Sequence, residues 1–489
     1  MSLSASFLSA RSSLNLTSSF STVSARNIEG SGDEAYSKKR AVVSSGPDGV
    51  RLIRIERASD DFIRNEFLAA SSQYGASVEI ASTQARLVDL LKIDSGAGSI
   101  ISKLGALKDS VQFASASPSE TSALAAVLES ARDLVDTVHS AYSDVVNLAN
   151  DTNMQIAASV ASINQRIAEF GDLDRQIASS RGGTDISHLL DRREAVLMRI
   201  SEEIGITMID KPDGSAAIYS TGGAVLYDRV AREVVVRPAG IDTGSAGSSS
   251  IAIDGIDVSS SVSNMPISFG RLAGLIEVRD QIVPRIQFNI DEFARGLVAT
   301  FSEGGLASNE VLARLPGLFV FRDQDLNFAD STVPGASRLI DINSNADPAR
   351  GGSLLRIRDG GISNPADARY VSNPKGEPGY SVQLLGYVEA IGTPRSFMDR
   401  SGGVLQQSLE EFSVQFISDV GGRRLESQSA ADSSRLTAEK FQSMLASATE
   451  VNLDEEMATL LHLENSYRAS SKLLSSINSL YDSLFDAIR

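Results

Sequence analysis

The two ends of the chain carry the most regular hydrophobic pattern in the sequence. Over residues 451–489, apolar or small residues recur mostly in steps of three and four, which is the spacing of a helix that packs along one seam. The first 28 residues have the same spacing. Both ends are therefore predicted to be heptad helices. The predicted seam residues are Leu3, Phe7, Leu14, Ile28, Leu453, Leu460, Leu463, Tyr467, Leu474, Ile477, Tyr481, Leu484 and Ile488.

The other faces of these two predicted helices are poor in charge. Arg11 is the only charged residue in the segment 2–24, and Lys472 is the only one in the segment 469–481. A helix face in water is normally rich in charged side chains. The Ser, Ala, Thr and Asn found here allow other helices to approach closely. A coiled coil within one molecule would satisfy the seam alone, and the uncharged faces favour packing among several copies.

The last helix has a well-defined start. Asn452 can cap it, and Glu455 stands three residues further on, as in a capping box. Asp454 and Glu456 would interact favourably with the positive end of the helix dipole. We therefore interpret this acidic cluster as a helix start rather than as a contact site.

The pattern between the two ends changes several times. Helical periodicity dominates from about residue 60 to residue 203, and it returns after residue 266 and again after residue 403. Alternating segments with Gly-rich turns lie between the first two helical blocks, and a weakly periodic segment rich in Gly, Pro, Asn and Asp follows. The predicted fold class is mainly α with β-rich insertions (α+β). The predicted domains are a terminal coiled coil (1–40 and 447–489), a helical rod with a β-hairpin (41–205, 266–302 and 400–446), a β-rich insert (206–265) and an irregular or β outer insert (303–399).

Composition excludes several classes of function. The net charge of −17, from 62 acidic and 45 basic residues, would repel a phosphate backbone, so we predict no nucleic-acid binding. The chain has no cysteine, which excludes disulfides and thiolate chemistry. We expect no membrane span, because no run of about 18 apolar residues exists. The first residues lack the basic region of a secretory signal, so Sec-type export is not expected.

No motif for catalysis or cofactor binding stands out. His139, His188 and His462 lack the spacing of metal ligands. The stretch Asp323–Asp330 imitates the start of a calcium loop, but the required glycine and the final acidic residue are missing. Phosphate-binding, nucleophile-elbow and zinc-protease motifs are absent. We therefore predict no metal, no cofactor and no enzymatic activity.

Several stretches resemble one protein family. The segment VNLDEEMATLLHLENSYRASSKLLSSINSLYDSLFDAIR resembles the C-terminal signature of the axial proteins of the bacterial flagellum. Three internal stretches, RIERASDDFIRNEFLAASSQYG, QIAASVASINQRIAEFGDLDRQI and DISHLLDRREAVLMRISEEIGI, are most similar to the hook-associated protein 1 group within that family. One turn departs from the family. Axial proteins usually follow the first helix with an Asn-rich turn that ends in Pro-Gly-Tyr, and only Asn27 and Tyr36 match it here.

The resemblance implies a function. It implies a structural adaptor that joins hook to filament and assembles as a ring of subunits through its terminal helices. The implied partners are other copies of the chain, the hook protein, a second junction protein and an export chaperone. The implied location is the hook-filament junction, reached through the flagellum's own secretion channel. The alternatives are another axial protein such as flagellin, or a secreted coiled-coil protein with a binding or enzymatic insert.

Overall fold

A computed structural model describes residues 3–32, 36–46, 49–94, 96, 98–180, 186–237, 249–259, 263–303, 315–322 and 334–488. The predicted fold class is confirmed, since long helices dominate and the sheets are small and antiparallel. None of the helices in these ranges combines the length and the apolar character that a bilayer-spanning segment needs. The α-helices described are α1 (Leu3–Gly30), α2 (Asp61–Leu90), α3 (Ile100–Ala116), α4 (Thr121–Ser179), α5 (Ser187–Glu203), α6 (Arg271–Glu277), α7 (Val283–Thr300), α8 (Ala336–Leu339), α9 (Leu355–Asp359), α10 (Val382–Gly392), α11 (Leu409–Thr449) and α12 (Leu453–Ile488).

The β-strands form five small sheets within the described residues. The first is the hairpin predicted from the sequence, in which Lys39 pairs with Arg57 and Gly46 pairs with Gly49. The strands are β1 (Lys39–Gly46), β2 (Gly49–Arg57), β3 (Ile206–Asp210), β4 (Ala216–Ser220), β5 (Val225–Asp228), β6 (Val230–Ala231), β7 (Val234–Arg237), β8 (Ser250–Ile253), β9 (Ile256–Asp257), β10 (Phe319–Phe321), β11 (Ile340–Ile342), β12 (Arg395–Met398) and β13 (Val404–Gln407). The sheet orders are β1-β2, β3-β4-β5-β6, β7-β8-β9, β10-β11 and β12-β13.

The chain divides into two compact units. The first comprises Met1–Ser77, Ala157–Gly274 and Ala431–Arg489, and the second comprises Val78–Ile156 and Leu275–Ala430. The predicted β-rich insert (206–265) belongs to the first unit and the predicted outer insert (303–399) to the second, each together with segments of the predicted helical rod. The finer division into four domains stays a prediction.

The second unit has one continuous hydrophobic core. Phe301, at the end of α7, contacts Phe319 of β10 and Tyr387 of α10, with ring centroids 5.0 and 5.1 Å apart. Phe319 and Tyr387 both lie in the predicted outer insert and are fully buried. The segment 303–399 therefore supplies core residues to this unit, and its short strands and helices account for its weak periodicity.

The first unit contains the predicted β-rich insert packed against α4. Tyr227 of β5 packs edge-on against Phe170, with ring centroids 5.3 Å apart, and its hydroxyl donates to Asp174 at 3.1 Å. A Cβ atom at Gly171 would lie 2.9 Å from the Tyr227 ring, so only glycine fits there without a shift. The insert thus shares buried contacts with the helix beside it.

The helical block around Pro284 consists of α6, a π-helical turn at Val278–Ile282 and α7, which follow one another without a break. Pro284 lies in the first turn of α7, directly after the π-helical turn. Prolines and π-helical turns are both usual sites of a kink within a helix. The last block was predicted to be helical from about residue 403, but it begins with β13, which pairs with β12.

Candidate assembly site on the terminal helices

The two terminal helices pack against each other in opposite directions. The Phe7 ring meets the Tyr481 ring edge-on, with centroids 6.5 Å apart. Ser13 and Ser470 share a hydrogen bond of 3.2 Å, and Ser24 contacts Glu456. The partner in α12 moves toward the start of that helix as α1 proceeds, so the pair is antiparallel.

The predicted seam residues differ in their exposure. Ile477 is buried, whereas Leu453 and Tyr467 are 47% and 50% exposed. The side chains of Leu3, Leu484 and Ile488 lie outside the described residues. The partly buried seam residues are Phe7, Leu14, Ile28, Leu460, Leu463, Leu474 and Tyr481. Most of the seam residues with described side chains are therefore buried or partly buried in the single chain, two are exposed, and their role as an assembly seam stays a prediction.

Small side chains make up much of what the seam buries. Ala10, Thr17 and Ser24 of α1 and Ser470 of α12 are all buried. Small residues let two helices approach closely, but each removes little apolar surface from water. The pair therefore gains less hydrophobic stabilisation than a leucine-rich seam would.

Sequence reasoning missed a second set of apolar residues on α12. Leu473 and Leu480, seven residues apart, are 60% and 55% exposed. Met457 and Leu461, four residues apart, are also more than half exposed. Each spacing places its two residues on one side of the helix. A search for apolar stripes beside the main seam would have found both pairs.

The start of α12 is capped as predicted, and it also makes contacts. The Asn452 side-chain oxygen accepts the backbone N–H groups of Asp454 and Glu455 at 3.0 and 3.2 Å. Lys38 Nζ donates to Glu455 at 2.7 Å, and this hydrogen bond holds the pKa of Glu455 below its usual value. The interpretation of the acidic cluster as a helix start alone was therefore incomplete.

Glu456 is the most deeply placed member of this cluster. The residue is 5% exposed, and its carboxylate accepts hydrogen bonds from Ser24 Oγ at 2.5 Å and from Asn27 Nδ2 at 3.1 Å. Lys38 Nζ lies 3.5 Å from the carboxylate. A buried charge is costly unless it is paired and hydrogen-bonded, and Glu456 has both kinds of partner.

The two residues that match the axial turn contact each other. Tyr36 donates its hydroxyl hydrogen to the Asn27 side-chain oxygen at 3.0 Å. That same oxygen accepts the Lys39 backbone N–H, and Asn27 Nδ2 donates to the Lys39 carbonyl. Asn27 thus ties the end of α1 to the start of β1 without the usual Pro-Gly-Tyr sequence.

Buried ion pairs connect the hairpin β1–β2 to α5. Lys39 Nζ lies 3.3 Å from Asp191, which also lies 3.1 Å from Arg57. Arg57 forms a second ion pair with Glu194. Burial raises the pKa of Asp191, and the nearby Arg57 and Lys39 oppose that shift. These ion pairs connect the hairpin to α5 inside the first unit.

The described residues show no group of three or more potential metal ligands of the His, Asp or Glu type. His139 Nε2 forms a hydrogen bond of 2.9 Å with the Ile340 carbonyl. The calcium-like stretch Asp323–Asp330 lies outside the described residues. The features found at the terminal helices are therefore packing surfaces and ion pairs.

Comparisons with known proteins identify the relationship. The family model "Flagellar hook-associated protein FlgK helical domain" matches residues 86–305. Flagellar hook-associated protein 1 of Bacillus subtilis is 20% identical over 528 residues, covering 98% of this chain and 96% of that protein. The Salmonella typhimurium protein of the same name is 20% identical over 509 residues, covering 90% of each chain. The match to the Escherichia coli protein, also 20% identical, spans 60% of this chain and 55% of that protein.

A solved structure has the same fold. The flagellar hook junction protein FlgK from Burkholderia pseudomallei superposes with a TM-score of 0.57 at 12% identity, covering 78% of this chain and 99% of that one. The sequence matches and the shared fold agree with each other. Together they confirm the predicted relationship of this chain to flagellar hook-associated protein 1 among the axial proteins of the bacterial flagellum.

Proposed function

We propose that this chain is a structural adaptor of the bacterial flagellum that joins hook to filament and assembles as a ring through α1 and α12. The observation that carries the proposal is the incomplete burial of the α1–α12 pair. Its seam buries mainly small residues, and apolar side chains remain exposed on other sides of α12. Exposed apolar surface of this kind is typical of a helix that other proteins cover.

The exposed pairs suit further helices as neighbours. Leu473 and Leu480 could serve as knobs for a helix on one side of α12, and Met457 and Leu461 could do so on another. Few charges lie beside the Leu473–Leu480 pair, since Lys472 is the only charged residue in the segment 469–481. A neighbouring copy could therefore approach this part of α12 without burying unpaired charge.

The second unit supports a division of labour within the chain. Its hydrophobic core is formed by residues of the unit itself, which supports folding of this unit without a neighbour. We infer that this unit folds by itself and that the terminal helices build the wall of the ring. The proposal assigns no catalytic step to either unit.

The proposed partners follow from the family relationship. They are the hook protein on one side of the ring, a second junction protein on the other, and an export chaperone before secretion. The proposed route is the flagellum's own secretion channel. The competing proposals are a filament protein such as flagellin and a secreted coiled-coil protein with a functional insert.

A single label would separate these proposals. Lys375 is exposed in the second unit, and the chain has no native cysteine, so Lys375→Cys can carry one maleimide-linked gold particle. The unsubstituted chain is the control for labelling. Electron microscopy should show one band of label at the hook-filament boundary. Label along the whole filament would favour a flagellin, and label only in the medium would favour the secreted alternative.

A further inference from the structure

One acidic side chain is buried between α1 and α12 among the described residues of those helices. It belongs to Glu456, and two donors from α1 converge on its carboxylate. Ser24 donates to one oxygen and Asn27 to the other. Because Ser24 and Asn27 are three residues apart, both lie on the same side of α1. Both donors reach the carboxylate only when α1 and α12 have the observed register, meaning the observed position of one helix along the other.

The rest of the seam specifies that alignment weakly. A heptad pattern repeats every seven residues, so a slip of seven residues replaces one small or apolar contact with another. The hydrogen bond between Ser13 and Ser470 involves two serines in a sequence rich in serine. Packing of small residues therefore leaves several alignments close in free energy.

A slip would remove the partners of Glu456. Moving the helices by seven residues in one direction would place Glu456 opposite Thr17 instead of Ser24. The Thr17 hydroxyl already donates to the Ser13 carbonyl at 2.8 Å, and the position three residues later is Phe20. A slip in the other direction would carry Glu456 past the last turn of α1. Both slipped alignments lose the two hydrogen bonds that satisfy the carboxylate.

The same residues fix the helix pair to the rest of the first unit. Asn27 bonds to both backbone groups of Lys39, at the start of β1. The Lys38 backbone N–H donates to the Thr449 carbonyl at 2.7 Å, at the end of α11. The end of α1, the start of β1 and the start of α12 are therefore connected through one small set of hydrogen bonds.

We propose that Glu456, with Ser24 and Asn27, is a register lock that selects a single antiparallel alignment of α1 and α12. Glu456 is a positioning residue, and its carboxylate acts by penalising every alignment that leaves it without donors. A buried polar group that specifies register at some expense of stability is a known device in coiled coils. The inference concerns one chain, so it does not depend on the proposed assembly.

Engineered disulfides can report the alignment, because the chain has no cysteine of its own. The pair Ser13→Cys with Ser470→Cys reports the observed register, since the two hydroxyl oxygens lie 3.2 Å apart. Ser13→Cys with Leu463→Cys, or with Ile477→Cys, reports a slip of seven residues in either direction. Oxidation yields are measured on gels for each pair, with and without a change at Glu456.

The expected results differ between variants at this position. With Glu456 present, the native pair should cross-link at least about tenfold more than either slipped pair. Glu456→Leu should raise the slipped cross-links to a yield comparable with the native one, while helix content and the thermal midpoint are kept or raised. Glu456→Gln retains an oxygen that can accept from Ser24 or Asn27, so it should keep the native pattern.

A matched control removes an exposed charge from the same helix. Glu464 is exposed and pairs with Arg468, so Glu464→Leu should leave the cross-linking pattern unchanged. A native-only pattern in Glu456→Leu would overturn the register lock. So would the loss of all three cross-links in that variant, because Glu456 would then hold the helices together without selecting their alignment.

Discussion

The core of the second unit and the seam of the terminal helices bury side chains of different size. The first packs Phe293, Phe301, Phe319 and Tyr387 into a fully buried interior. Among its described residues, the second buries mainly small side chains, and it leaves leucines exposed on α12. The proposed assembly explains this difference. A region that folds alone buries large side chains from its own chain, and a region proposed to join other copies keeps part of its apolar surface for them.

The largest contrast should follow from truncating one large core residue. Phe293 of α7 is fully buried in the second unit, so Phe293→Ala should lower the free energy of unfolding by about 3–5 kcal/mol. The loss comes from the transfer of the ring and from the cavity left behind. Urea unfolding followed by circular dichroism would measure it.

The matched variant in the seam is Leu474→Ala. Leu474 is only partly buried in the single chain, so the loss should stay below about 2 kcal/mol in the monomer, less than the lowest losses typical of buried leucines. Equal losses for the two variants would show that the seam is as complete as the core, and the contrast between the regions would fail.

A second expected difference is in local opening. Amide hydrogens of α12 should exchange with deuterium faster than those of α7 in the isolated chain, because few buried apolar contacts hold α12 in place. They should slow down when copies assemble. Limited proteolysis should agree, with cleavage before about residue 40 and after about residue 445. Equal protection of α7 and α12 in a verified monomer would contradict this expectation.

The smallest predicted effect concerns the contact between β5 and α4. Tyr227→Phe removes a hydroxyl that donates to Asp174, and it should cost about 1 kcal/mol at neutral pH. Asp174 keeps Arg193 and the Ala216 backbone N–H as donors. A loss below measurement error would indicate that the hydroxyl contributes nothing to the packing of the β-rich insert on α4.

The same tyrosine makes a prediction about pH. Burial and the negative charge of Asp174 raise the pKa of Tyr227 to about 12. The raised pKa means that the neutral hydroxyl contributes stability below the unfolded pKa of about 10, and that this contribution is lost as the pH rises to about 12. Tyr227→Phe should therefore lose less stability between pH values of about 9 and 11.5 than the unsubstituted chain. Identical slopes would show that this hydroxyl does not titrate with unfolding.

Features that depend on neighbouring residues could be predicted from the sequence. The periodicity of α1 and α12, the Asn452 cap and the hairpin β1–β2 all depend on residues close along the chain. Local pattern and turn chemistry determine such elements.

Features that depend on distant residues could not be predicted. Glu456 and Asn27 are 429 positions apart, so no local pattern shows that one will satisfy the other. Phe319 and Tyr387 gave no periodic signal, because they come from short elements joined by irregular segments. The exposed leucines of α12 were visible in the sequence, but their exposure depends on where α1 packs.

The central claim is that the terminal helices build the assembly while the rest of the chain folds alone. The double variant Leu474→Asp with Ile477→Asp tests this claim most directly, because it places two carboxylates in the seam. An unpaired buried charge costs roughly several kcal/mol, and this cost recurs in every subunit. The matched control is Ser475→Ala with Ser476→Ala, at exposed positions on the same helix. Electron microscopy of cells that carry the Asp variant should show hooks without filaments, while the thermal unfolding of the rest of the exported chain, outside α1 and α12, stays nearly unchanged. Normal filaments on these cells would contradict the account.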